Sequence, residues 1–84
     1  MPYIPQKDRD ELTALLRRNP ATAGELNYVI TEALIGYTRV HGPSYKTINE
    51  VVGVLECAKQ EYYRRLAAPY EDMKSTQNGD VYLP

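Results

Sequence analysis

Apolar side chains return at Leu26, Val29, Ile30, Ala33, Leu34 and Tyr37. That is the i, i+3, i+4, i+7, i+8, i+11 spacing of one helix face. Thr22-Ala23-Gly24-Glu25 precedes the stripe with capping-box spacing. His41-Gly42-Pro43 closes it, because Gly42 accepts the left-handed cap conformation and Pro43 cannot continue a helix. The pattern predicts a helix over 23–41. A second stripe, Ile48, Val51, Val52, Leu55, Ala58, Tyr62 and Leu66, predicts a helix over 45–67. Ser44 or Thr47 caps its start, and Pro69 marks its end or a kink. Leu34 and Leu55 lie mid-stripe and are expected core positions. A shorter stripe, Leu12, Leu15 and Leu16, follows Asp8-Arg9-Asp10-Glu11 and predicts a first helix over 8–18. Asp8 reads as its N-cap, and Asn19-Pro20 ends it.

The flanks differ from the helices. Met1 to Gln6 holds two prolines and reads as extended, with Tyr3 and Ile4 anchored on the body. Residues 69–84 show no helical period. They read as a non-helical tail, with a turn at Asn78-Gly79 and a short extended apolar patch at Val81-Tyr82-Leu83. The fold class is therefore all-α: one domain over 1–84, three helices and a non-helical C-terminal tail.

Length changes the picture next. An 84-residue chain has room for one core, and a core that small needs a staple. One cysteine, Cys57, excludes an intramolecular disulfide. With His41 as the only histidine, the composition also counts against a zinc site of the usual Cys/His type. Homo-oligomer assembly is the remaining route. The aromatic inventory agrees: eight Tyr, no Phe and no Trp mean that every large ring carries a hydroxyl needing water or a partner. A net charge of −1 offers no footprint for nucleic acid. No apolar run approaches the roughly 20 residues of a membrane span, and the N-terminus lacks the basic and apolar regions of a signal peptide. A soluble, cytoplasmic protein is expected.

Candidate chemistry is sparse. Gly36 and Gly53 stand inside predicted helices, each at a cost of about 1 kcal/mol relative to Ala. Their main reading is close approach of crossing helices; a tolerated surface glycine or a ligand contact are the alternatives. The third helix has a polar stripe of Asn49, Gly53, Glu56, Gln60 and Tyr63, and the second has the pair Asn27 and Thr31. If these faces meet, they form a polar strip suited to a small ligand; otherwise they are the wet sides of their helices. The segment from Tyr62 to Asp72 joins Tyr63, Arg64, Arg65 and Tyr70, residue types enriched at binding hot spots. Its arginines suit a protein partner or a small anionic ligand, or they pair within the chain with Glu61, Glu71 or Asp72. The candidate binding residues are thus Asn27, Thr31, Asn49, Glu56, Tyr63, Arg64, Arg65 and Tyr70. No catalytic, cofactor or metal residues are assigned. A helical metal site needs acidic pairs at i, i+3 on facing helices, and Glu25, Glu32, Glu50, Glu56 and Glu61 do not supply them.

Several stretches carry a family likeness: Met1-Pro2-Tyr3-Ile4, Gly24 to Thr31 (GELNYVIT), Ser44 to Lys59 with its NEVVGVLECAK core, Tyr63-Arg64-Arg65, Ala68 to Asp72 (APYED), and Asn78 to Tyr82 (NGDVY). In these the chain resembles a family of small bacteriophage and bacterial proteins carried as a domain of unknown function. The resemblance covers nearly the whole chain and implies a phage or bacterial setting, with no activity attached. The leading expectation is a non-enzymatic binding or interaction protein. One alternative is an oligomeric sponge for an anionic metabolite or signalling nucleotide. The other is a divergent metal-dependent all-α nucleotide pyrophosphohydrolase, which the acidic spacing counts against.

Overall fold

The computed structural model describes residues 2–83, so Met1 and Pro84, the ends of the first segment and of the tail, lie outside the described residues. The chain is all-helical, with no strand among the described residues. In order come α1 (Gln6–Thr13), α2 (Ala23–His41), α3 (Tyr45–Tyr62), a π-helical turn (Tyr63–Ala67) and α4 (Ala68–Asn78). The last three run on without a break, so the chain forms three helical rods. The third spans about 50 Å at 1.5 Å per residue, which accounts for the longest dimension of the molecule, 51 Å.

Helix α2 has the bounds its pattern predicts. Thr22 caps it, its hydroxyl oxygen accepting the Glu25 N–H at 3.1 Å. The Glu25 carboxylate reaches one residue further back than in a standard capping box, accepting from Ala21 N–H at 2.9 Å and from Arg18 at 2.9 Å. Gly42 ends the helix at φ +85°. Ser44 rather than Thr47 caps α3, accepting the Thr47 N–H at 3.2 Å. Thr47, tucked into the α2–α3 turn at 4% exposure, is the one buried side chain among the described residues.

Three expectations are corrected. The first helix runs 6–13 rather than 8–18. Pro5 is its N-cap residue, and the Pro5 carbonyl accepts from Asp8 and Arg9 N–H, which places Asp8 inside the first turn. It stops early because Leu15 and Leu16 make tight i→i−3 bonds to Leu12 and Thr13, and Arg18 is drawn to Glu25 at the start of α2. Second, residues 68–78 are helix, not a non-helical tail. An α-helical proline ring collides with the carbonyl four residues earlier, here that of Arg65. The π-turn just before it adds one residue to the winding, with Ala68 N–H donating to Tyr63 C=O, and the rod passes Pro69 as an early position of a new helical segment. Gly79, at φ +94°, supplies the stop, its N–H bonding Ser75 C=O at 2.9 Å. Beyond it the Asp80 carboxylate accepts from the backbone N–H groups of Tyr82 and Leu83, which folds that end into a turn.

The third correction concerns the core. Among the described residues no hydrophobic side chain is buried. Leu34 is half-buried and Leu55 is 39% exposed. Helices α2 and α3 pack on each other near their turn, α4 touches only the π-turn that leads into it, and no helix packs on α1. Gly36 and Gly53 have nothing within 4 Å of where a Cβ would stand, so the close approach expected of them does not occur within the chain.

If the π-turn is the accommodation of Pro69, replacing that residue removes its cause. Pro69→Ala is expected to keep or raise the helical circular-dichroism signal and to stabilise the rod by up to about 3 kcal/mol, the full cost of an interior proline. Loss of helicity in this variant would contradict the account.

Candidate functional site

Two hydrogen bonds between a tyrosine and a glutamate hold distant segments in place. In the first, the Tyr37 hydroxyl on α2 donates to Glu50 on α3. The Tyr37 ring also stacks on His41, centroids 4.2 Å apart, and Lys46 lies 3.8 Å from the Glu50 carboxylate. The bond holds Glu50 below the ordinary carboxylate range, chiefly through the Tyr37 hydroxyl, and raises the Tyr37 phenol for the same reason.

The second joins the N-terminal strap, the non-helical residues 2–5 ahead of α1, to α3. Tyr3 donates to Glu61 Oε1 at 2.7 Å. Arg64 Nη2 donates to the same oxygen at 2.7 Å and Arg65 Nε at 3.2 Å, while Arg65 Nη2 donates to the Tyr3 hydroxyl oxygen at 3.2 Å. The Tyr3 hydroxyl first, then Arg65 and Arg64, bring the Glu61 carboxyl from an ordinary 4.5 down to about 2.

These bonds frame two apolar grooves. One, of about 570 Å³, lies between α2 and α3, walled by Ala33, Leu34 and Tyr37 on one side and by Val51, Val54 and Cys57 on the other. The other, of about 500 Å³, lies under the strap, between Pro2 and Tyr3 and a wall of Ala58, Tyr62 and Leu66. Val54 and Cys57 line both.

The predicted polar strip does not assemble. Asn49 and Gly53 line the α2–α3 groove, but Asn27, Thr31 and Glu56 do not. Thr31 bonds back to Asn27, and Glu56 accepts from Gln60 at 3.2 Å and faces Lys59 at 3.4 Å, all within single helices. Tyr63 is exposed in the π-turn. Arg64 and Arg65 come together on Glu61 rather than on Glu71 or Asp72, so they tie down the N-terminal strap and not the C-terminal end. Tyr70 lies a full turn further on and stacks under the Lys74 ammonium, 5.6 Å from its ring centroid.

Tyr3, Glu61, Tyr37 and Glu50 are the residues that spacing alone did not single out as a site. The surplus of tyrosine hydroxyls pointed to such bonds without naming partners. Tyr3 and Glu61 stand 58 positions apart, beyond any local pattern. Among the described residues no three of His, Cys, Asp and Glu gather as metal ligands, and no helix is long and apolar enough to cross a membrane.

A family profile described as Domain of unknown function (DUF6899) matches residues 1–81, so the chain belongs to that family. No curated protein sequence and no solved structure gives a match.

The Glu61 arrangement sets a pH dependence. Its folded pKa lies below the ordinary value, so its stabilising contribution is present above about pH 4.5 and is lost as pH falls toward 2. Carbon-detected NMR titration of Glu61 is expected to give a midpoint near 2, moving upward in Tyr3→Phe. An ordinary midpoint in the wild type would mean that the strap is not held by this bond.

Proposed function

We propose that the chain is a non-enzymatic interaction protein that works as a homo-oligomer, its helices supplying one another's core. The supporting observation is its surface. A compact monomer of this mass exposes about 5,100 Å²; this chain exposes 7690 Å². Its radius of gyration of 17.1 Å likewise exceeds the roughly 12 Å of a compact domain this long. Helices with uncovered apolar stripes do not recover the entropy cost of ordering their residues. In this reading the covering surface comes from another copy of the chain. Large apolar grooves with few polar groups fit contact chemistry better than catalysis, and the two arginines of the Tyr-Arg segment are directed at Glu61.

Light scattering of the purified chain at micromolar concentration is expected to give a multiple of 9.6 kDa. A monomer that unfolds cooperatively at that concentration contradicts the reading. So would release of pyrophosphate from a nucleoside triphosphate with Mg²⁺, abolished by Glu56→Gln.

A further inference from the structure

The two grooves are one surface. Val54 and Cys57 form a ridge shared by both, and together the grooves make a valley along α3 and the π-turn from Val51 to Leu66. At 1.5 Å per residue that valley is about 22 Å long, the length of four helical turns. We infer that this valley is the seat of a second copy of the chain, which lays one of its own helices over Val54 and Cys57. The inference rests on the self-assembly reading above and adds where the subunits meet.

Area argues for a second copy over a small ligand. The chain exposes roughly 2,600 Å² more than a compact monomer of its mass. Obligate homodimers bury about 2,000–5,000 Å² in total, so up to about 2,500 Å² on each partner. The excess is thus what one large self-contact would remove, and a molecule filling either groove would leave most of it uncovered. The valley's lining suits the contact: Leu34, Val51, Val54, Ala58 and Leu66 are aliphatic, and the flanking charge of Glu61 is already satisfied by Tyr3 and the two arginines. A net charge of −1 sets up little repulsion between copies. Gly53 keeps the wall low where the helix would approach, with nothing within 4 Å of its missing Cβ. An isologous contact places the same patch on both subunits, so a single pairing closes both valleys.

The chain's lone cysteine reads the contact without mutation. Cys57 is exposed in the single chain and lies on the ridge. In the native protein its reaction with Ellman's reagent is expected to be at least about tenfold slower than in the urea-unfolded chain, and to accelerate on dilution as subunits part. Val54, 59% exposed in the single chain, tolerates a charge there at little cost unless a partner covers it. Val54→Glu is therefore expected to lower the mass toward 9.6 kDa, while Gln77→Glu, the same charge change on exposed α4 surface, leaves it unchanged. An oligomer in which Cys57 reacts as fast as in the unfolded chain, with mass unaffected by Val54→Glu, overturns this inference and leaves self-assembly standing. A monomeric wild type overturns both. If Val54→Glu is insoluble, the Cys57 rates alone decide. Protection of Cys57 that does not change with dilution, in a protein of monomer mass, assigns the valley to another occupant.

Discussion

A helix with one apolar stripe holds its shape in water only when that stripe is covered, because propensity alone leaves short helices marginal. Every feature of this chain is conditioned by that constraint and by how little of it is met within the chain. Helix α2 carries the stripe Leu26 to Tyr37, and α3 with its π-turn carries Ile48 to Leu66, yet no hydrophobic side chain among the described residues is buried. The one buried side chain among the described residues, Thr47, lies beside the turn between them, its N–H and hydroxyl both bonded to the capping Ser44 hydroxyl. A three-helix chain can close on itself by folding its first and last helices over the α2–α3 pair. Here α1 has no helix packed on it, and the π-turn carries the chain past Pro69 into α4, extending the rod instead of turning it back.

The polar contacts compensate by fixing geometry, not by supplying a core. Tyr37–Glu50 sets α2 against α3, and Tyr3–Glu61, backed by Arg64 and Arg65, fastens the strap along α3. All of these groups are in contact with water, where ion pairs and hydrogen bonds contribute little net stability. Their effect is to hold two apolar grooves open side by side with Val54 and Cys57 between them. Two of the tyrosines fit the same scheme: Tyr3 and Tyr37 each line a groove and donate a hydroxyl to a carboxylate that lines it too.

Much of the helical architecture was legible in the sequence. The bounds of α2, its cap at Thr22 and its stop at Gly42 follow from local chemistry, which a sequence displays most directly, while for α3 the sequence left the cap open between Ser44 and Thr47. Residues 69–84 misled for a physical reason. Pro69 forbids a regular α-helix, and nothing in the amino acid order announces that a π-turn will absorb it. The candidate site was legible only in part. Arg64 and Arg65 belong to a real cluster, and Asn49 does line a groove, but Asn27, Thr31 and Glu56 satisfy themselves within their own helices. Tyr3 and Glu61 meet only because the strap folds back along α3, a contact across 58 positions. Size and the lack of a disulfide partner for Cys57 led to an expectation of assembly, but they did not announce that no hydrophobic side chain among the described residues would be buried, Leu34 and Leu55 included.

The central claim is that folding and association of this chain are one event. Urea unfolding followed by far-ultraviolet circular dichroism, at two protein concentrations a hundredfold apart, tests it directly. If the core lies between subunits, the more concentrated sample gains about 2.7 kcal/mol of apparent stability for a dimer. That moves the midpoint upward by roughly 1 M or more, given slopes of about 1–3 kcal/mol per molar urea. Superimposable curves at the two concentrations, with a sharp transition in each, would show that a single chain carries its own stability and would contradict the account.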